Sequence, residues 1–471
     1  MIKDIKNIEN ILDFLLEPLP SPKPILILTF DEIYRGVKSP IDVIERALKV
    51  IRETHNLNAF ITVLEEDALK RANELENALR NNQPVGPLAG IPVSVKDNIF
   101  TKGIRTTMAS KLFKDYVPNF SATVINKLIE NDAIIIGKTN LHEFASGVTN
   151  ISSYFGPARN PNDPERIPGG SSGGSAISVA VGSALFSIGT DTSGSVRIPA
   201  ALCGVVGFKP SYGLISRYGV FPLAWSLDTV GILANTVLDA AYAFTVLIGP
   251  DGYDKTIHGE FQVNLPFIKN GVNPRKTMLG YLRLNEENPV NKVFMDVVSR
   301  LDSEGFIIKE IKLDLDRINN VHRIIRLTEA AAVHSELFNM RQADYSPDVA
   351  EMIRQGLSIT AVDYINALRQ RALIINEIMR ILNNVDALLM PTLPTTAPKI
   401  SEVLGKELDF RVVATRYVAS ANLLGSPAIT IPMGKVDSLP VGLQVMGGIY
   451  QDNFILSLAN TIENILKLGK I

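Results

Sequence analysis

Residues 168–200 read PGGSSGGSAISVAVGSALFSIGTDTSGSVRIPA, and this stretch organises the reading of the whole chain. Two Gly/Ser clusters flank a helix of small residues and a short apolar strand. A flexible linker shares the composition, but a linker would not enclose an apolar run and end in Val196-Arg197-Ile198-Pro199. A glycine-dense loop directly after a strand lets backbone N–H groups converge on a negative centre, because glycine tolerates the dihedrals this requires. An oxyanion hole and a phosphate cradle both need that arrangement.

Outward from this stretch, short apolar runs at 91–95, 133–136, 185–188, 306–313, 387–390 and 428–432 have strand character. Between and around them lie helical patterns at about 40–54, 66–79, 236–248, 319–340, 360–383 and 454–467. Strands separated by helices at this rhythm predict an α/β/α sandwich, a large twisted mixed sheet flanked by helices. At the N-terminus Ile5, Ile8, Leu12 and Leu15 recur at helical spacing, and the following PLPSPKP (18–24) breaks the pattern. Residues 1–24 are therefore expected to form a helix and connector, and 25–471 one domain. The apolar stripe of that first helix needs a partner, either the body of the chain or a second copy in a homodimer.

Composition narrows the class. Of 471 residues 46% are apolar and 20% charged, and the net charge of −2 gives no global attraction to nucleic acid or anionic membrane. The single cysteine, Cys203, permits neither an internal disulfide nor a cysteine-based zinc site and reads as a small core residue. No metal or cofactor is called for. The N-terminus lacks the apolar core of a secretory signal, and no apolar run reaches the roughly 18 residues of a membrane span. The expectation is a cytoplasmic enzyme with a small-molecule substrate.

Three chemistries compete for the glycine-rich segments. Gly137-Lys138-Thr139 after an apolar run resembles a P-loop ending, but that motif needs glycine at 132, where this chain has Asp132. Lys138 is then expected to be a structural or solvated loop residue. Gly169-Gly170-Ser171-Ser172-Gly173 satisfies GxSxG, and His258, His322 and His334 follow it. The nucleophile elbow, however, requires a strand before the turn, and Pro161, Pro164 and Pro168 exclude a central strand there. The third reading places Lys96 at the C-terminal end of the strand-like 91–95, where active sites of open α/β sheets collect. On residue type alone, Lys96 is equally a surface charge or the ion-pair partner of Asp97.

The boxes GIPVSVKDN (90–98), GKTNLHEFASG (137–147), FGPARNP (155–161), PGGSSGGSA (168–176), GTDTSGSVRIPA (189–200), GVVGFKPSYG (204–213) and NLLGSPAITIP (422–432) together resemble the amidase signature family. The resemblance implies a triad of Lys96, Ser171 and Ser195, spaced 75 and 24 residues apart, with a cis peptide bond before Ser171. Ser195 would be the nucleophile, Ser171 a proton bridge and Lys96 the base. Backbone amides of Thr192, Ser193, Gly194 and Ser195 would form the oxyanion hole. Ser193 departs from the glycine common in the family, which restricts the dihedrals of that turn. Ser172, Asp191 and Arg197 would brace the loop, though an Asp191–Arg197 ion pair is equally a purely structural feature. His142 reads as a packed or pocket-lining histidine. The family contains free-standing amidases and the glutaminase component of a glutamine-dependent tRNA amidotransferase. Where that component grips glutamine with an arginine and an aspartate, this chain places Glu351 and Thr415, with Arg354 and Arg416 nearby. The sequence therefore favours a free-standing amidase.

Overall fold

The computed structural model describes residues 5–257, 259–285 and 287–466. Eleven strands occur among these residues: β1 (Phe60–Val63), β2 (Pro92–Lys96), β3 (Ile134–Thr139), β4 (Phe186–Asp191), β5 (Val206–Lys209), β6 (Thr229–Ala234), β7 (Met278–Leu282), β8 (Ile307–Ile311), β9 (Ala387–Pro391), β10 (Ala428–Val436) and β11 (Leu439–Met446). They form one sheet in the order β1-β3-β2-β4-β6-β5-β10-β11-β9-β7-β8. β2 runs parallel to β3 and β4, and β7 parallel to β8 and β9, while the centre from β4 through β11 is antiparallel. The expected mixed sheet flanked by helices is what the chain forms. Among the described residues no helix is long and apolar enough to cross a membrane.

The two faces of the sheet differ in side-chain size, and that difference positions the functional loops. One face carries Val93, Val95, Ile188, Ile232, Phe208, Ile431 and Leu443, all fully buried, in the main core. The helices Ile25–Tyr34, Pro40–Glu53, Val237–Leu247 and Asp452–Leu466 contribute to the same core. The opposite face is built of Gly and Ser. A Cβ on Gly207 would come within 2.6 Å of Ala200 Cβ, and one on Gly442 within 2.7 Å of Ala201 Cβ. Without side chains at those points, the helix Arg197–Cys203 lies directly on the sheet. The neighbouring helix Gly173–Ala180 is fastened by hydroxyls: Ser94 Oγ meets Ser178 Oγ at 2.7 Å and donates to Ser187 Oγ at 2.8 Å. Both helices begin in the Gly/Ser loops of 168–200, so their seating fixes those loops over the sheet.

The N-terminal helix Ile5–Leu16 turns Ile8, Leu12 and Leu15 into the main core, against the helices Ile25–Tyr34 and Leu265–Asn270. The body of the chain thus covers the side chains described in that stripe. Asp239 Oδ1 accepts the N–H groups of Leu26 and Ile27, so a buried carboxylate satisfies the first donors of the helix that follows the connector.

Candidate active site

Topology brings three chain segments to one edge of the sheet. Parallel β2 and β4 end there, at Lys96 and Asp191, and antiparallel β6 begins there just after Asp228, with Asp191 opposite Thr229. Lys96 is fully buried, which removes the surface-charge reading. Asp97 pairs with Lys138 instead, at 3.3 Å, and both are fully buried. Lys138 lies inside β3, so its placement as a solvated loop residue is corrected and its structural role stands. The residue occupies a strand because 134–136 continues the apolar run straight through it.

Lys96 Nζ donates to Ser171 Oγ at 2.7 Å and to Thr190 Oγ1 at 2.7 Å. Burial lowers its ammonium from 10.5 to about 7, against the opposing pull of the Asp191 and Asp228 carboxylates. The Gly170–Ser171 peptide bond is cis. Ser172 N–H donates to the Ser195 carbonyl at 3.1 Å, tying the first Gly/Ser loop to the second. Lys96, Ser171 and Ser195 are therefore brought to one site, with Ser195 only 3% exposed.

The loop 191–196 is shaped by one carboxylate. Asp191 accepts the N–H groups of Gly194 (2.8 Å) and Val196 (3.1 Å), and also the Arg197 guanidinium at Nε (3.0 Å) and Nη2 (2.9 Å). Burial would raise Asp191, but Arg197 holds it well below the usual carboxylate range. The ion pair and the bracing role turn out to be the same contact. The Gly194 amide is spent on Asp191, which corrects its expected role as an oxyanion donor and leaves Thr192, Ser193 and Ser195 as candidates. The left-handed dihedral of the turn falls on Gly194 (φ +96°), so Ser193 sits where a side chain is tolerated. A Cβ on Gly194 would also lie 2.4 Å from Val418 Cγ2. Ser172 Oγ donates to the Thr190 carbonyl at 3.2 Å.

Several residues here escaped the sequence reading. Thr190 shares Lys96 with Ser171. Asp228 accepts Thr192 Oγ1 at 2.6 Å and the N–H groups of Leu223 and Ala224. Asn422 donates to Asp191 Oδ1 (2.9 Å) and accepts from Arg197 Nη2 (2.7 Å), while Gln444 and the Val418 carbonyl accept from Arg197 Nη1. His322, in the helix Leu315–Arg341, places Nε2 3.0 Å from the Thr192 carbonyl and 3.4 Å from Ser193 Oγ. Burial and the nearby Arg326 lower it to about 3, so it is a neutral donor bracing the loop. Of the other histidines, His142 is buried against Asp348 (2.8 Å) and Thr149 (3.3 Å), His334 packs beside Phe144, and His258 lies outside the described residues. Cys203 is buried in a satellite core. Glu351 is exposed and paired with Arg354, Arg416 is paired with Asp316, and Thr415 Oγ1 is bonded to the Arg411 carbonyl.

A family model described as "Amidase" matches residues 42–456. The chain belongs to the amidase family. Among curated relatives of this amidase, the A-type subunit of glutamyl-tRNA(Gln) amidotransferase from Sulfurisphaera tokodaii is 37% identical over 94% of this chain and 96% of its own length. A crystal structure of an amidase superposes with a TM-score of 0.84 at 34% identity, covering 94% of this chain and 99% of that one. The corresponding amidotransferase subunit from Thermotoga maritima gives 0.77 at 34% identity, covering 90% and 91%.

Proposed function

We propose that this amidase cleaves carboxylic acid amides through an acyl-enzyme on Ser195, with Ser171 and Lys96 as the proton relay. The observation that carries the reading is the 2.7 Å contact between Ser171 Oγ and a fully buried Lys96, whose ammonium is lowered to about 7. A serine hydroxyl attacks only when a base takes its proton, and lysine is that base only when neutral. Ser195 passes its proton to Ser171 as Oγ adds to the carbonyl carbon, and Ser171 passes its own to Lys96. Backbone amides of Thr192, Ser193 and Ser195 stabilise the oxyanion, each preorganised donor being worth about 10²–10³ in rate. The tetrahedral adduct collapses, the C–N bond breaks, and the relay returns the proton to the leaving nitrogen. Water then adds to the acyl carbon by the same relay and releases the acid.

Two uses of this chemistry are open to the chain. Glu351 and Thr415 offer neither cation nor anion for free glutamine, which favours a free-standing amidase. The 37% identity to a tRNA-dependent amidotransferase component over 94% of the chain favours the glutaminase role, and it is the stronger support. In that role ammonia released from glutamine serves a tRNA-dependent transfer. The purified chain is assayed with glutamine and with simple carboxamides, alone and with the other amidotransferase components. Glutamine turnover that appears only in the complex establishes the amidotransferase role, and rapid turnover of simple amides by the chain alone establishes the free-standing one. Absence of any amide hydrolysis under both conditions refutes the triad.

A further inference from the structure

One turn beyond His322 on the helix Leu315–Arg341 stands Arg326, 4% exposed. Its one hydrogen bond among the described residues runs from Nη1 to Met352 Sδ at 3.1 Å, a weak acceptor. No carboxylate lies in ion-pair contact with it among those residues. The charges that act on it are of its own sign, Arg411 and Arg323. Arg411 is itself 7% exposed, and its Nη2 donates to the Ser146 carbonyl rather than to an acid. The one acid near Arg411, Asp348, is engaged by His142. Elsewhere in this protein buried arginines are matched: Arg197 carries Asp191, and Arg217 carries Asp254.

A buried guanidinium without an anion is costly, because removal from water is compensated only by paired charge. Arginine does not escape by losing its proton. Position gives the arrangement its meaning. Residues four apart share a helix face, and His322 on that face touches Thr192 O and Ser193 Oγ of the loop that carries Ser195. The unmatched cation therefore lies beside the acyl side of the proposed reaction centre.

We propose that Arg326, with Arg411 behind it, is the recognition site for a carboxylate on the acyl chain of the substrate, so that the enzyme prefers anionic amides. This rests on the amide-hydrolysis reading above and adds the substrate class to it. The planar guanidinium suits a carboxylate geometrically, and substrate binding supplies the counter-charge that the folded chain lacks. Free glutamine falls in this class, as do monoamides of dicarboxylic acids without an amino group.

The test compares succinamate and glutaramate with the neutral butanamide and pentanamide, and adds glutamine as a third arm. The wild-type enzyme is expected to favour an anionic amide over its neutral counterpart in kcat/KM by roughly 10–100-fold. Arg326→Leu is expected to erase that preference through KM while turnover of the neutral amide changes less than about threefold. The same variant should melt higher than wild type without ligand, since an unmatched buried charge is gone; a purely structural arginine would give the opposite shift. Equal use of anionic and neutral amides by the wild type overturns the proposal without any variant, as does a preference that survives Arg326→Leu. If no amide is turned over, the triad reading fails. The anion site is then decided by calorimetric binding of glutarate to wild type and to Arg326→Leu. Binding lost in the variant supports the site, and absence of binding to the wild type overturns it.

Discussion

Replacing Lys96 by methionine tests the buried base through stability rather than rate. Lys96 is fully buried and its ammonium falls from 10.5 to about 7. That displacement corresponds to roughly 5 kcal/mol of folding free energy sacrificed when the unfolded lysine is protonated. The sign follows from proton counts. Between about pH 7 and 10.5 the unfolded chain holds a proton at Lys96 that the folded chain has shed, so this group makes stability rise with pH across that window. The cost is complete below about 7 and vanishes above 10.5. Methionine carries no such term, but it leaves the Ser171 and Thr190 hydroxyls without Nζ, an offset of about 1–3 kcal/mol. Lys96→Met should therefore be more stable than wild type by about 2–4 kcal/mol at pH 6.5, and the gap should close by roughly 1.4 kcal/mol per pH unit above 7. The groups facing Nζ, Asp191 and Asp228, remain in both proteins, and Lys209, also lowered to about 7, cancels in the difference. Urea unfolding of both proteins from pH 6.5 to 10 measures it. Parallel curves, or a variant that is less stable at pH 6.5 than at 9.5 relative to wild type, refute the buried neutral lysine and with it the base.

Asp191→Asn strips a fully buried Arg197 of its counter-charge and should cost about 3–5 kcal/mol in urea unfolding; a loss under about 1 kcal/mol would show that Asn422 and Gln444 suffice. Thr190→Val removes one of the two close acceptors of Lys96 Nζ, so the ammonium is held less well. The acid limb of kcat/KM should move to lower pH while the plateau drops about tenfold, and a limb that moves upward contradicts this assignment. Gly194→Ala forces a Cβ to 2.4 Å from Val418 Cγ2 at a left-handed dihedral. It should cost about 1–3 kcal/mol and reduce turnover more than tenfold, read by thermal melting and single-turnover rates.

The glycine-rich stretch 168–200 was legible because its constraints are local. Gly/Ser runs, a buried strand and a fixed spacing to Lys96 all lie within about one hundred residues. β2, β4 and β9 were visible as unbroken apolar runs. β5, β6, β7 and β11 were not, because each is interrupted by the glycine that lets a helix or another side chain sit on the sheet, as at Gly207 and Gly442. Lys138 was misplaced for a related reason: a strand continuing into Gly-Lys-Thr looks like one that has ended. The partners Asn422 and Gln444 lie more than two hundred residues from Arg197, so nothing in local pattern links them. Thr190 reads as any β-branched strand residue until β2 is laid beside β4. Gly194's amide could be assigned only once Asp191 was seen folded back under the turn.

The measurement that bears most directly on the account is covalent trapping. The protein is treated with a fluorophosphonate and digested, and the adduct is located by mass spectrometry. Modification confined to Ser195, slowed at least tenfold in Lys96→Met and in Ser171→Ala, is the predicted result. An adduct on Ser171, or labelling of Ser195 that proceeds unchanged without Lys96, would contradict the relay.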